Sequence, residues 1–597
     1  MSAKPLQQRL TEQRERWALE DKAKLWQVPE HWRGHGEHHE LGRELAYKAP
    51  NADAQKVFEA FAARLQFVEW ELLKRREILA LAGESADEVK RAMQTLAADS
   101  TALARWTFAA NLATVRGVDA PRLQKKPTAN DYTGAVARLE CVLWWRRAYR
   151  VKVARLSEAS KVRAFEVSKV AGQAYCSNTA VARRIEQTQA NAAMLTNTYL
   201  SNGEGYVATL QELVDKSTAS KPIRRGELMT RIRGCEDIAF DKKSTSLFFT
   251  LTCPSKYHPV TIDGKANTKY EGNTAKDGQA WLTDKWAKVR AKFKRQGIEV
   301  YGVRVAEPHH DNCPHWHVLL WCEAQHSEAV QGAITAAWLS EYGDERGAKE
   351  YRVKCELIKP RNADGTGGAA AYLAKYVAKN IDDYKTKEHR DEVGGEQLDI
   401  FGDGVVTPAT RVEAWATHWG IRQFQTFGMP PVGVWRELRR LTHEDVAKSN
   451  DKRLMQAWIA TQKVADKKAD WAAYTMAQGG IGAAGSHRNC KIRLMRRMME
   501  REGRYQVIID KSPIGVRCGA ARVMSNRKDW SAVSIEEAKE IKRAGKSGAS
   551  RPRTCFNNCT HDTGYAFGGI VKIVQQYDSL EGAQHWKPWQ RRQKQSS

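Results

Sequence analysis

Ile298–Cys322 reads IEVYGVRVAEPHHDNCPHWHVLLWC. Two runs rich in β-branched and aromatic residues, IEVYGVRVAEP and HWHVLLWC, flank the turn-forming HDNCP, a pattern that predicts a hairpin of two strands. On the second strand His315 and His317 are separated by one bulky apolar residue. Side chains two apart on a strand share a face, so both imidazoles converge while Trp316 and Val318 point the other way. Two convergent neutral imidazoles make half of a divalent-metal site. Glu307, at the end of the neighbouring strand, offers a carboxylate, and His309 competes with it as third ligand. A mixed site of this kind keeps open positions for a phosphate oxygen. Taken alone, a His-x-His on a strand is more often incidental than metal-binding, so the pair needs a partner motif.

Working outward, SLFFTLTC (Ser246–Cys253) stops at Pro254 and reads as a buried strand. Trp281 to Gln296 reads as an amphipathic basic helix. YRVKCELIK (Tyr351–Lys359) reads as a further strand, leading through the glycine-rich RNADGTGG to the helix AAAYLAKYVAKNI. Strands interleaved with helices around a hairpin predict an α+β domain on an antiparallel sheet, spanning residues 216–440. It ends after WATHWGIRQFQTFGMPPVGVWRELRRL. Residues 1–215 read as a helical region, because FEAFAARLQFVEWELLKRREILALAG and ARLECVLWWRRAYRVKVARLSEASKVRAFEVSKVAG carry apolar residues at three- and four-residue spacing. Gly117 to Pro127 punctuates that region. Residues 441–597 hold 29 Lys and Arg against 15 Asp and Glu, with glycine-rich breaks at Gly479–Gly485 and Gly545–Gly548. They read as a loosely folded basic region with a short helix at RLMRRMMEREG, which either holds DNA or a partner or is a solvated tail.

The partner motif is YLAKYVAKN. Tyr372 and Tyr376, four apart on a helix, stack on one face. Lys375 and Lys379 each follow a tyrosine by three residues and bring a cation within reach of each phenol. A phenol, with a reference pKa of ~10, is a weak nucleophile at neutral pH, and a nearby ammonium or metal favours its ionised form. Gly365, Gly367 and Gly368 allow backbone to approach a phosphate at the helix N-terminus, where an anion is favoured. In isolation the helix is more often a structural one, with both tyrosines packed in a core and both lysines solvated.

Of 597 residues, 42% are hydrophobic and 28% charged, ordinary for a globular chain of several domains. No apolar run approaches the ~20 residues that span a bilayer, and the polar first thirty residues contain no secretory signal. Eleven scattered cysteines suit reduced thiols in a cytoplasm. The formal net charge of +26 points to a polyanionic partner, nucleic acid rather than membrane, because no lipidation motif accompanies it. The GKS at Gly545–Ser547 has Glu540 where a phosphate-binding loop requires its first glycine, so no ATPase is expected. Cys555, Cys559 and His561 offer three zinc ligands without a clear fourth.

In order and spacing, a His-hydrophobic-His strand, a two-tyrosine helix and the upstream strand FFTLT resemble the His-hydrophobic-His (HUH) endonuclease superfamily. RRGELMTRIRGCEDIAF, FFTLTCPSKYHP, EPHHDNCPHWHVLLW, AAYLAKYVAKN and WATHWGIRQFQTFG resemble more closely the replication gene A proteins of tailed bacteriophages, rolling-circle replication endonucleases. With WWRR (Trp144–Arg147), the likeness covers about residues 140–440. It implies metal binding by His315 and His317, with Mg²⁺ or Mn²⁺ as the ion. It also implies paired nucleophiles at Tyr372 and Tyr376 acting on single-stranded origin DNA; in this assignment Lys375 and Lys379 are expected to steady phosphate or phenolate. One tyrosine would attack to leave a 5′-phosphotyrosine and a free 3′-OH, and the second would cut the regenerated origin. Strand separation would fall to a host helicase. The competing readings are a plasmid initiator or relaxase with the same chemistry, a non-catalytic origin-binding protein, and a metal nuclease that uses water.

Overall fold

The computed structural model describes residues 75–202, 204–261, 263–362, 367–381, 407–462, 468–481, 490–525, 527 and 530–544, and does not describe the side chains of residues 375 and 378–381. The chain opens on helices α1 (Arg75–Gln94), α2 (Ala102–Val115), α3 (Ala129–Leu139), α4 (Val142–Arg163) and α5 (Asn178–Asn197). Their starts are written in the sequence. Thr101, Thr128 and Ser177 each accept a backbone N–H from their own first turn, and Asp131 returns the bond to Thr128. Trp145, Tyr149, Leu112 and Phe108 are buried among α1, α2 and α4. The indole of Trp145 donates to Leu139 O at 2.6 Å, pinning the break between α3 and α4.

After strands β1 (Tyr199–Ser201) and β2 (Val207–Thr209) and helices α6 (Leu210–Asp215) and α7 (Lys221–Asp241), the central sheet begins with β3 (Thr245–Leu251). Helix α8 (Ala275–Arg295) starts six residues before the sequence pattern suggested, because Thr274 and Asp277 form a capping box. The hairpin follows as β4 (Tyr301–Pro308) and β5 (Pro314–Cys322), then helix α9 (Ser327–Leu339) and β6 (Val353–Ile358). Helix α10 (Gly368–Ile381), helix α11 (Pro408–Trp419), β7 (Phe424–Phe427) and helix α12 (Val432–Leu438) complete this part.

The sheet has the order β6-β3-β5-β4-β7, and every pairing is antiparallel. Antiparallel sheets commonly leave one face to water. Here α7, α10 and α12 contribute to the cluster that covers one face, with Phe248, Val303, Val305, Leu319 and Trp321 from the strands. Helices α8, α9 and α11 contribute to the other, with Leu247, Phe249, Trp316, Val318 and Leu320. Every residue of β4 and β5 is therefore buried. That explains why HWHVLLWC reads as a continuous apolar run instead of an alternation. The expected α+β class with a central antiparallel sheet holds.

Among the described residues between 441 and 544 the structure departs from the reading of a loose region. Helices α13 (His443–Ala447), α14 (Lys452–Thr461) and α15 (Trp471–Ala477) bury Leu454, Trp471 and Tyr474 in the same cluster as α7 and α10. RLMRRMMEREG is a strand, not a helix. It forms most of β8 (Ile492–Glu502), paired along its length with β9 (Val507–Cys518), which in turn pairs with β10 (Ala521–Met524). Arg, Leu and Met favour helix locally, but cross-strand pairing with VIIDKSPIGVRC overrides that preference. Last, β11 (Ser531–Val533) joins β1 and β2 in a small sheet, followed by helix α16 (Ile535–Ala544). No helix among the described residues is long and apolar enough to cross a membrane.

Candidate active site

In the β4–β5 register, Glu307 lies opposite His315 and Val305 opposite His317. Cross-strand neighbours point to the same face, so the carboxylate joins the two imidazoles on the side that faces α10. Glu307 is 1% exposed, His315 8% and His317 7%. One donor atom from each of the three lies within 4.8 Å of the others, the group of this kind found among the described residues. His315 Nε2 and His317 Nε2 are 3.0 Å apart, and Glu307 Oε2 is 3.9 Å from His317 Nε2. Thr250 on β3 sits opposite His317 in register, and its Oγ1 lies 3.2 Å from His317 Nδ1, so the outer nitrogen is held while Nε2 points into the cluster.

His309 is outside that group. Its ring lies against that of His315, tilted by 30° with centroids 4.0 Å apart. Burial, aided by the neighbouring charge of His258, lowers its pKa to about 3, so it stays neutral. The turn that carries it is held by Asp311, which accepts from Cys313 N at 3.1 Å and pairs with His258 Nδ1 at 2.8 Å. Burial opposes the charged ring of His258, but Asp311 raises its pKa above the ordinary value on balance. Asn312 takes φ +77° there, and its carbonyl accepts from the Trp415 indole of α11.

Helix α10 lies across the histidine face of the sheet. Ala369, Ala370, Leu373 and Val377 are buried, while Tyr372 and Tyr376 pack at the margin of the same cluster. The Tyr376 ring is 4.3 Å from that of His317, and the Tyr372 ring meets Phe248 edge-on at 4.6 Å. The Tyr372 hydroxyl donates to Glu356 Oε2 of β6 at 2.9 Å. Both phenols are protonated at neutral pH. Burial raises the pKa of Tyr372, with the Glu356 hydrogen bond adding to it. Burial also raises Tyr376, reinforced by Tyr372 and by the charge of Glu307. Tyr372 forms part of the wall of an open groove of about 420 Å³, bounded also by Lys359, Asn362, Gly367 and Gly368. The side chains of Lys375 and Lys379 lie outside the described residues, as do Gly365, Gly545–Ser547, Cys555, Cys559 and His561.

The helix N-terminus corrects one expectation. Gly367 and Gly368 do take positive φ, +71° and +76°. The anion at this end, however, is Glu236 of α7, whose Oε1 accepts from Ala370 N at 3.0 Å. A Cβ on Gly368 would overlap that carboxylate. The glycines bring the backbone close to a protein side chain, which takes the place imagined for a phosphate. Glu356, Glu236, Phe248, Thr250 and the His258–Asp311 pair escaped the sequence reading, because each acts from a different strand or helix than the motif it touches.

Residues 73–384 match the family described as Bacteriophage replication gene A protein, a span that holds every residue of this site. The chain belongs to that family. Relatives of the gene A family include the replication gene A protein of Escherichia phage 186, 35% identical over 450 residues, covering 74% of this chain and 61% of that protein. The replication gene A protein of Escherichia phage P2 is 34% identical, covering 73% and 56%. A protein named probable replication endonuclease from a prophage-like region of Salmonella typhimurium is 28% identical, covering 71% and 52%. The chain thus spans between half and two thirds of the length of these relatives. No solved structure gives a significant match. The family match begins well before Trp144, so the helical region of α1–α4 is part of what gene A proteins share.

Proposed function

We propose that this chain is a site-specific single-strand DNA endonuclease and ligase of the HUH type, which nicks a phage replication origin and starts rolling-circle replication. The observation that carries the reading is the contact of Tyr376 with His317, which sets a phenol beside the Glu307–His315–His317 cluster. The donor set fits a divalent ion. Two imidazole nitrogens 3.0 Å apart and the buried carboxylate of Glu307 converge as the mixed nitrogen and oxygen donors that would hold such an ion. A Mg²⁺ or Mn²⁺ ion held by Glu307, His315 and His317 would draw charge off the scissile phosphate.

The chain's own groups carry the rest. A tyrosine oxygen bonds to phosphorus, the bond from phosphorus to the 3′ oxygen breaks, and the products are a 5′-phosphotyrosine and a 3′-OH primer end. For Tyr372 the phenolic proton passes to Glu356, which already accepts its hydrogen bond, while the leaving 3′ oxygen takes a proton from solvent. One phosphodiester replaces another, so rejoining needs no nucleotide. The second tyrosine, one helical turn away, is the nucleophile for the regenerated origin. A host replicative helicase separates the strands in the bacterial cytoplasm, and Lys375 and Lys379 steady phosphate or phenolate.

The test is incubation of the protein with single-stranded origin DNA and Mn²⁺, followed by denaturing electrophoresis. A covalent protein–DNA adduct is expected, and Tyr372→Phe with Tyr376→Phe together abolish it. Cleavage without an adduct, indifferent to the double change, would establish a water-using nuclease and refute the tyrosine chemistry. Binding with neither cleavage nor adduct would leave an origin-binding protein.

A further inference from the structure

The segment WWRR, Trp144–Arg147, has no part in the chemistry above. It opens α4, and the structure sets it against the tip of the β8–β9 hairpin. Trp144 is half-buried and meets Trp145 edge-on at 5.1 Å. Across from it, the Tyr505 hydroxyl donates to Cys141 Sγ at 3.4 Å, and the Arg138 guanidinium lies over the Tyr505 ring at 5.3 Å. Arg138 also donates to Gln506 Oε1 at 3.2 Å, joining residues 368 apart in sequence, and Asn130 Nδ2 donates to Val507 O at 3.1 Å. Gly134 approaches Gln506 so closely that a Cβ would overlap it. The hairpin tip is therefore docked on α3.

The docking leaves a cleft of about 310 Å³ walled by Arg122, Arg138, Arg147, Arg504, Trp144 and Tyr505. Among the described residues that line it, none is a carboxylate. A guanidinium stays charged and offers a flat fork of donors matched to phosphate oxygens. Indole and phenol rings stack on unpaired bases whatever their sequence. Four cations alone would suit any polyanion. Cations alternating with rings in a space at the lower end of the range for small-ligand sites suit one unpaired nucleotide of a longer strand.

We propose that this cleft is a second, non-catalytic site that grips single-stranded DNA, sharing no residue with the Glu307–His315–His317 cluster. It is built by segments from either side of the central sheet domain, so a bound strand holds the hairpin and the helical region together. The inference does not depend on the nicking reading, because it is tested in a protein that cannot form an adduct.

The experiment uses the full chain carrying Tyr372→Phe and Tyr376→Phe, with fluorescein-labelled oligothymidylate read by anisotropy. Adding Arg122→Ala and Arg147→Ala, both at exposed positions, is expected to weaken binding about tenfold. The slope of log affinity against log salt should fall by ~0.7 for each arginine removed. An oligonucleotide bearing 5-iodouracil should photo-crosslink to Trp144 or Tyr505, mapped by mass spectrometry. Unchanged affinity and salt slope, with crosslinks only elsewhere, overturns the proposal. So does equal competition by a polyglutamate chain, which would mark the cleft as a general acidic-partner site. Trp144→Phe, which keeps a ring in place, should retain the crosslink at position 505, and its loss there with the fold intact also counts against stacking.

Discussion

Replacing Glu356 by glutamine sets two effects of one carboxylate against each other. In the protein as it stands, Glu356 accepts the Tyr372 proton at 2.9 Å and, after burial, is the next cause of that phenol's raised pKa. Removing its charge makes the phenolate easier to form. Glu356 is 37% exposed, so that relief is screened and worth ~1 kcal/mol, about fivefold in rate. Removing it as proton acceptor costs ~10²- to 10⁴-fold, the usual range for general-base catalysis. The loss wins, and adduct formation through Tyr372 should slow by about 20-fold or more. The assay is single-turnover adduct formation in a Tyr376→Phe background, where Tyr372 is the remaining nucleophile of the pair. In that background the rate should be nearly flat near neutral pH, whereas Glu356→Gln should make it rise with pH as hydroxide takes over the proton. Adduct formation that is unchanged or faster in Glu356→Gln would refute the assignment and leave the carboxylate with a purely electrostatic role.

Three further outcomes follow from the geometry. Glu307→Ala and His317→Ala should each weaken Mn²⁺ binding by about tenfold or more in calorimetry, without reference to activity, because each removes one of three converging donors. Asp311→Asn should destabilise the protein by ~2 kcal/mol in denaturant unfolding, since it takes the charge from a buried carboxylate paired with the partly buried ring of His258. Asp311 has a lowered pKa, so its contribution is present above the ordinary carboxylate value and lost as pH falls through the folded one. His258 has a raised pKa, so its contribution is complete below the ordinary histidine value and lost as pH rises through the folded one. The gap between wild type and Asp311→Asn should therefore be widest between about pH 4 and 6.5, and a pH-independent gap would contradict the pairing. Gly368→Ala should cost ~2 kcal/mol in the same measurement, through its left-handed φ and the overlap with Glu236.

Much of the site was legible because strand and helix periods are local. His315 and His317 share a face by alternation, Tyr372 and Tyr376 by one helical turn, and the turn at HDNCP fixes Glu307 opposite His315. What brings the two pairs together is the placement of α10 over the sheet, and no local period encodes that. Glu356 shows the limit. It sits on the edge strand in an unremarkable VKCELI, and only the pairing of β6 with β3 puts it opposite Phe248 and beneath Tyr372. The region after residue 440 failed for the opposite reason. Its Arg, Met and Glu composition signals exposed helix, while the structure is set by a long hairpin whose partner strand lies several residues further on.

The two tyrosines share a helix face but not an environment, and the difference follows from the sheet. Leu373 and Val377 point into the core and fix the rotation of α10, which leaves residues 372 and 376 at the margin of the core, with Tyr372 on the wall of the groove. Tyr376 lies over β5, where the histidines are, so that Glu307 adds to burial and to Tyr372 in raising its pKa. Tyr372 lies over β3 and toward β6, where it meets Phe248, Glu356 and the open groove. In each case a carboxylate that opposes ionisation stands close by. For Tyr376 that carboxylate belongs to the cluster, so neutralising the cluster also removes one cause of its raised pKa. For Tyr372 the carboxylate is the acceptor of its own hydrogen bond, so the obstacle to ionisation is also the destination of the proton. On the proposed chemistry, two phenols of identical structure would thus have two different routes to the phenolate, and the antiparallel order β6-β3-β5 is what separates them.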